Sequence, residues 1–400
     1  MHDGAALTVE DVTASLQAAR TSKRYSYRLR HILSVLTLEE GTITVQLDTP
    51  CERLPLLLDV PVLRAADVAE AVPAGTGLYR LQNGKLRRFS KAWKTVSEDF
   101  GDVITLVSAS TPTELEEAFT GGSLSLVCID PNGVSGPVYH TASSLYVRQT
   151  NTIQYLGFQM KSGPFRSAAL RSALSNIVDR DSLSEQFGGG FTQSAALPTN
   201  PAGENYDRGL ALKYGYDEEA FAAALEEADI RDLDGDGVLD VPVDDTTVRA
   251  EGILLVCSAY PQRVSVAHEL VSQLKEYGIL LTVNALSTNE YRSALRSGNY
   301  DIYFGETELS PDGDLSAFFD SSSELCLSGM ANDAALLLCE AALENSGNFY
   351  TLYEYVMDEG LFCPVLFKQQ AVYVWQSLQL PLQPTEGNLF YLPIATEETQ

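Results

Sequence analysis

Between Arg249 and Phe304 the chain alternates apolar runs with amphipathic ones, and this pattern restricts the fold more than any other feature. Arg249–Cys257, Gly278–Ala285 and Tyr300–Phe304 read as strands, and Val264–Tyr277 and Thr288–Ser297 read as helices. The strands are apolar throughout, so they need cover on both faces, which a parallel sheet with crossover helices supplies. The expected class is α/β, with mixed sheets flanked by helices.

The rest of the chain reads less sharply. Thr8 caps an opening helix, and Leu33–Leu38 and Thr42–Leu47 form a hairpin through Glu39-Glu40-Gly41. Val103–Ser108, a helix capped at Thr111-Pro112-Thr113-Glu114 and ended by Gly121-Gly122, and Ser123–Ile129 read as a second, parallel βαβ unit. Beyond the polar stretch Gln149-Thr150-Asn151-Thr152 come a strand at Ile153–Phe158, a helix from Arg166 to about Val178, and one within Ala211–Ala228. Helices at Asp333–Leu343 and Phe349–Met357 and a strand at Val365–Trp375 follow. Two α/β units with a polar connector predict two lobes.

Charge excludes some partners. Acidic residues outnumber Lys and Arg by 54 to 27, a formal net charge of −27, so phosphate-rich nucleic acid and anionic lipid are repelled. The six cysteines, Cys51, Cys128, Cys257, Cys326, Cys339 and Cys363, form no CxxC pair and no cluster with histidine. Free thiols are expected; Cys326 and Cys339 are the one pair open to an oxidising compartment.

The sharpest motif is Asp232-Leu-Asp234-Gly-Asp236-Gly-Val238-Leu-Asp240. Its oxygens at positions 1, 3, 5 and 9, glycine at 6 and the Val238 carbonyl at 7 follow a calcium loop, although position 12 is Val243. Asp244 and Asp245 stand near enough to substitute. Calcium and a metal-free Asp/Gly turn both stay open. Catalytic signatures are missing: His268-Glu269 runs to Ser272 rather than a second histidine, Gly188-Gly189-Gly190 lacks phosphate-loop spacing, and no GxSxG occurs. A carboxylate-dependent hydrolase is the remaining enzymatic alternative. Tyr300, Tyr303 and Phe304 lie at a strand end beside Glu306, Glu308, Asp312 and Asp314, where open α/β sheets bind ligands. They read either as a cleft wall with acidic anchors or as a solvated loop.

Several motifs occur in one order along the chain. His2-Asp-Gly-Ala-Ala-Leu7-Thr8-Val-Glu-Asp11-Val12 resembles the "HDG-x-x-LTAEDV" segment of the family 5 extracellular solute-binding proteins, the peptide and dipeptide binders of ABC importers. Pro73-Ala-Gly75-Thr-Gly77-Leu-Tyr79 resembles that family's "P-x-GTGPY". Pro164-Phe165, Arg171-Ser-Ala173-Leu and Asp179-Arg180 resemble its "PF…R-x-AL…DR", and Leu197-Pro198-Thr-Asn-Pro201 its "LP-x-x-P".

The resemblance implies a two-lobed periplasmic-binding-protein (type II) architecture that encloses ligand and hands it to ABC permease subunits without catalysis. It implies a first lobe of residues 1–150 plus 366–400 and a second of 151–365, crossing near Thr150–Tyr155 and Cys363–Phe367. It also implies a monomeric lipoprotein, at the extracellular face of the membrane or in the periplasm. Members carry a signal sequence and more of the first lobe before the "HDG" segment, so an N-terminally truncated member is expected. In peptide binders an aspartate after the strand "yDl" takes the peptide's amino group. Here Tyr300-Asp301-Ile302 is followed by no "W-x-x-D", and Glu306 or Glu308 is the expected substitute. The expected ligand site is thus Tyr303, Gly305, Glu306 and Glu308, with Arg296 as counter-anchor for a carboxylate. A ligand-sensing domain without a transporter is a further alternative.

Overall fold

A computed structural model of the chain describes residues 1–39, 41–93, 101–133 and 142–378. Its centre is a mixed sheet in the order Leu280–Leu286, Glu251–Cys257, Ile302–Glu308, Ser143–Phe158, Phe362–Trp375, Leu126–Ile129, with Thr192–Ser194 pairing on Phe362–Trp375. Glu251–Cys257 runs parallel to both its neighbours, as its apolar pattern predicts. Every other pairing in this sheet is antiparallel.

Two strands form the spine. Ser143–Phe158 and Phe362–Trp375 pair along nearly their entire length, from Trp375 opposite Ser143 to Phe362 opposite Gly157. The register shifts twice, between Pro364 and Leu366 and between Phe367 and Gln369.

Alternation along the sheet sorts apolar residues into two cores, one on each face. Leu156, Phe158, Ile302 and Phe304 face one core, under the helices Pro261–Glu276, Ala168–Leu174 and Glu218–Glu227. Ile153, Tyr155 and Tyr303 face the other, under Asp333–Glu344 and Phe349–Asp358. Each fully buried Leu or Phe contributes about 1.5–3 kcal/mol. Two glycines make the second face possible. Gly157 lies opposite Tyr303 and Gly305 opposite Tyr155, and a Cβ on either would sit 2.2 or 2.7 Å from the facing ring.

The segment before Leu126 builds smaller units. The helix Val9–Thr21 and the hairpin Ile32–Glu39/Thr42–Leu47 enclose their own core around Leu16, Leu29, Ile32 and Val35. The helix opens as its sequence predicts: Thr8 and Asp11 exchange cap hydrogen bonds.

The parallel βαβ unit expected across Val103–Ile129 does not form. Val103–Thr105 pairs antiparallel with Lys85–Arg88 in a separate sheet, while Leu126–Ile129 pairs antiparallel with Phe362–Trp375. What draws Leu126–Ile129 away is distant in sequence: Phe119 and Val127 bury against Ala371 and Tyr373. The helix expected from Arg166 to about Val178 forms as Ala168–Leu174 and tightens into a 3-10 turn at Ser175–Ile177; a further helix, Arg180–Phe187, follows with Asp179 as its cap, and Ala211–Ala228 contains the helix Glu218–Glu227. All six cysteines are free.

The motifs carrying the resemblance serve architecture. His2 Nε2 meets the Gly77 carbonyl at 2.8 Å, and the His2 amide donates to the Gly75 carbonyl at 2.9 Å. Arg171 donates to the carbonyls of Gly360, Phe165 and Glu359, and burial pulls its pKa to about 10. Arg180 donates to the Pro364 and Ser175 carbonyls.

Candidate functional site

Past Glu308 the chain leaves the sheet as Leu309–Asp314, and this loop faces the segment that links the opening helix to the hairpin. In that segment Leu29 is drawn into the N-terminal core, 1% exposed, which leaves Arg24, Tyr25, Tyr27, Arg28 and Arg30 around it. The guanidinium of Arg24 lies 5.2 Å from the Tyr25 ring centre and that of Arg30 lies 4.3 Å from the Tyr27 ring centre. Between segment and loop is a cavity of about 620 Å³, lined on one side by Arg24, Tyr25 and Arg28 and on the other by Glu308 and Ser310, with Asp59 beside them. A second cavity of about 530 Å³ adjoins it, sharing Tyr27, Glu308 and Ser310. Both volumes suit a small ligand.

Arg28 Nε, a buried donor beside this cavity, has no hydrogen-bond partner, and the Ser310 hydroxyl is drawn to the Asp312 carboxyl. Arg28 is otherwise held by donation to the Leu56 carbonyl at 2.6 Å. The adjoining cavity is lined by an ion pair between Arg30 and the fully buried carboxylate of Asp314, with Arg30 also donating to Ser316 Oγ at 2.7 Å. Burial lowers the pKa of Arg30, but Asp314 beside it more than reverses that and raises it. Burial, and then Asp314, push Tyr27 up to about 12; the same two causes raise the neighbouring carboxyl of Asp312.

A second assembly lies one rung back along the sheet. Glu306 and Glu308 project from the same face of their strand, about 7 Å apart. Glu306 accepts from Gln154 Nε2 at 2.9 Å and lies 3.3 Å from Lys368 Nζ and 3.8 Å from Arg263 Nε. Lys368, 4% exposed, is also paired with Asp130. Glu306 is therefore compensated by neighbouring cations, whereas Glu308 is exposed at the cavity.

The remaining expected residues are placed apart. Tyr303 is buried in the second core with its ring against Tyr155 and Tyr300, and Gly305 is the seat of the Tyr155 ring. Arg296 lines a different cavity with Gln159 and Ser328, next to the opening end of the strand Ile302–Glu308. It shares no cavity with Glu306 or Glu308 among those described.

The acidic loop is folded on its own backbone. Asp232 accepts from the amides of Gly235 and Gly237, and these bonds hold its carboxyl below the usual carboxylate range. Carboxylate oxygens of Asp232, Asp234 and Asp240 lie within 4.8 Å of one another. Asp236 turns away to pair with Arg249, and that bond lowers its pKa. Val238 is buried, its amide donating to Asp236.

Sequence reading missed the basic wall of the cavity, though a signal existed. Lys23-Arg24-Tyr25-Ser-Tyr27-Arg28-Leu-Arg30-His31 sets four cations and a histidine in nine positions of a chain with a net charge of −27. Nothing local announced Lys368, Asp130 or Arg263.

Residues 2–324 match the family described as bacterial extracellular solute-binding proteins, family 5, middle. The chain belongs to this family. Among curated relatives, the periplasmic alpha-galactoside-binding protein of Rhizobium meliloti is 30% identical over 138 residues, 34% of this chain and 20% of that protein. The chain spans less than two thirds of the length of the curated relatives it matches. Two solved structures share the two-lobed periplasmic-binding fold. NikA from Brucella suis, in complex with Fe(III)-EDTA, aligns over 97% of this chain and 84% of its own with a TM-score of 0.75 and 15% identity. The oligopeptide-binding protein AppA from Bacillus subtilis, in complex with a nonapeptide, aligns over 94% and 80% with a TM-score of 0.59 and 19% identity. No described helix is long and apolar enough to cross a membrane.

Proposed function

We propose that this solute-binding protein captures a zwitterionic, peptide-type solute between two lobes and presents it, unaltered, to the permease subunits of an ABC importer outside the cytoplasm. The observation that carries the reading is the cavity between the Arg24–Arg30 segment and the Glu308–Asp314 loop. It sets Arg24 and Arg28 opposite Glu308, and Arg28 Nε is a buried donor beside it without a partner. A buried donor left unpaired costs about 1–3 kcal/mol, which a ligand carboxylate would return. Glu308 takes the ammonium end, and Arg28 with Arg24 takes the carboxylate in the place expected of Arg296. The lobes are residues 1–150 with 366–400 and residues 151–365, a division supported by the separate cores around Phe119 and Tyr373 on one side and Leu156 and Tyr155 on the other.

Calorimetry with trialanine, N-acetyl-trialanine and trialanine amide tests this. Blocking either end weakens binding about tenfold, ~1.4 kcal/mol. Glu308→Gln removes the penalty for acetylation, and Arg28→Met removes the penalty for amidation. Equal affinity for all three peptides overturns the zwitterion reading, and release of free alanine from any of them overturns the non-catalytic one.

Calcium is part of the proposal: Asp232, Asp234 and Asp240, with the Val238 carbonyl, would hold it, and the proximity of three carboxylates supports this. Asp236, paired to Arg249, takes no part.

A further inference from the structure

The assembly around Glu306 is balanced in charge and short of partners in hydrogen bonds. Gln154 is fully buried, and its amide orientation is fixed because only Nε2 can donate to the Glu306 carboxylate. Its Oε1 is left as a buried acceptor with no partner. Gln154 Nε2 also lies 3.3 Å from Gln262 Oε1, which fixes the second amide and leaves Gln262 Nε2 a buried donor with no partner. Arg263, 5% exposed, lies with its guanidinium 3.5 Å from the centre of the Tyr260 ring; its Nε has no partner, and Glu306 is 3.8 Å away. Gln262 and Arg263 stand in the first turn of the helix Pro261–Glu276, whose N-cap residue, Tyr260, supplies no side-chain cap. Such a turn offers further unsatisfied amides and a partial positive charge.

Native interiors leave few polar groups unsatisfied, and three in one cluster, on three different side chains, mark a place where partners arrive from outside. Tyr260, Gln262 and Glu306 are only half-buried, so the cluster lies just beneath the surface, although the unpartnered atoms themselves are buried. Charge then decides what fits. Lys368 and Arg263 are matched by Glu306 and Asp130, so a full ligand charge here would stand uncompensated in a desolvated site.

We propose that Gln154, Gln262 and Arg263 form a subsite for an uncharged polar group of the ligand, one that accepts at least two hydrogen bonds and donates one. A peptide amide and a pair of sugar hydroxyls both present that pattern. The inference rests on the solute-binding reading above. It is separate from the charged ends assigned to Glu308 and Arg28, because Glu306 stands two residues back from Glu308 on the same strand face, about 7 Å away.

The test compares the wild type with Gln262→Met and Arg263→Lys by calorimetry and thermal melting, using trialanine, the analogue with its first amide N–H replaced by an ester oxygen, raffinose and inorganic phosphate. For whichever of trialanine or raffinose binds the wild type, each variant weakens binding about tenfold. Gln262→Met lowers the ligand-free Tm only slightly, because the donor it removes has no partner in the free protein and Gln154 Nε2, which loses the long contact to Gln262 Oε1, keeps its 2.9 Å bond to Glu306. Loss on ester substitution, equal in size to the loss in Gln262→Met, identifies the peptide amide; raffinose binding with the same sensitivity identifies hydroxyls. Unchanged affinity in both variants overturns the subsite and leaves the solute-binding reading standing. Tighter binding of phosphate than of either neutral probe overturns the choice of an uncharged group. If the wild type binds neither trialanine nor raffinose, the solute-binding reading fails for both classes and the subsite falls with it.

Discussion

Two clusters of carboxylates occupy opposite extremes of this molecule. The Asp232–Asp240 loop gathers its charges from nine consecutive positions, keeps them in solvent and holds them with its own backbone amides. The Glu306 assembly gathers Asp130, Gln154, Arg263, Glu306 and Lys368 from five distant segments and buries most of them. Local spacing suffices for the first; the second exists only once the sheet has closed. A charge that is exposed and locally held tolerates substitution, whereas one that is buried and held at long range depends on every partner.

The largest expected effect follows from that dependence. Lys368→Met removes a buried cation and leaves the half-buried carboxylates of Glu306 and Asp130 short of a partner, and breaking such a pair costs about 3–5 kcal/mol. Urea denaturation measures it directly, and the double variant Lys368→Met, Glu306→Gln recovers a large part of the loss. A cost comparable to that of an exposed pair, about 0–1 kcal/mol, would erase the distinction between the two clusters.

A smaller effect is expected from metal removal. With calcium in the loop, chelation lowers Tm and Asp234→Ala abolishes that response. Arg249→Ala sharpens the comparison, because it frees Asp236 and strengthens calcium binding, whereas a metal-free turn loses its counter-ion and nothing else. Melting curves that coincide with and without chelator, in both proteins, select the bare turn.

The smallest effect is on the acid limb of stability. Asp232 is held below its ordinary pKa of 3.8 by the Gly237 and Gly235 amides, so its folded form is the ionised one. Its contribution is present above the unfolded value and lost as pH falls through the folded one. Asp312 runs the other way, its folded pKa raised by burial, so its penalty accrues as pH rises above 3.8. Stability measured from pH 2 to 6 in Asp232→Asn should lose the first slope alone; an unaltered profile would contradict the backbone cause.

How much was legible in the sequence follows the same division. The pattern from Arg249 to Phe304 showed its helices and parallel strands because the three strands and the two helices that connect them lie within one short stretch of chain. Leu126–Ile129 was readable as a strand but not as a partner of Val374 and Ala371, which stand some 240 residues later. Among the expected site residues, Glu308 stands at the cavity shared with Arg24 and Arg28, while Tyr303 and Gly305 belong to a tyrosine–glycine interlock that only the register of two strands creates. The basic segment from Lys23 to His31 was visible against an acidic chain. Its meeting with the loop after Glu308 depends on the burial of Leu29 and on the Arg30–Asp314 pair, neither of which has a sequence signature.

The paired strands Ser143–Phe158 and Phe362–Trp375 are joined rung by rung past the crossing between the proposed lobes, so no loose joint separates the two ends. In mechanical terms the pair is a torsion bar. A change in angle between the lobes must be taken up as added twist along it, concentrated where the shifts of register around Pro364–Gln369 have already interrupted the rungs. Lys368 sits within that stretch, and its carbonyl is tied to Thr150 at 2.6 Å. Were the proposed lobes to move, the element that neutralises Glu306 would thus also be the one wrung hardest, and tension in the ribbon and occupancy of the proposed subsite would become two readings of one strain gauge.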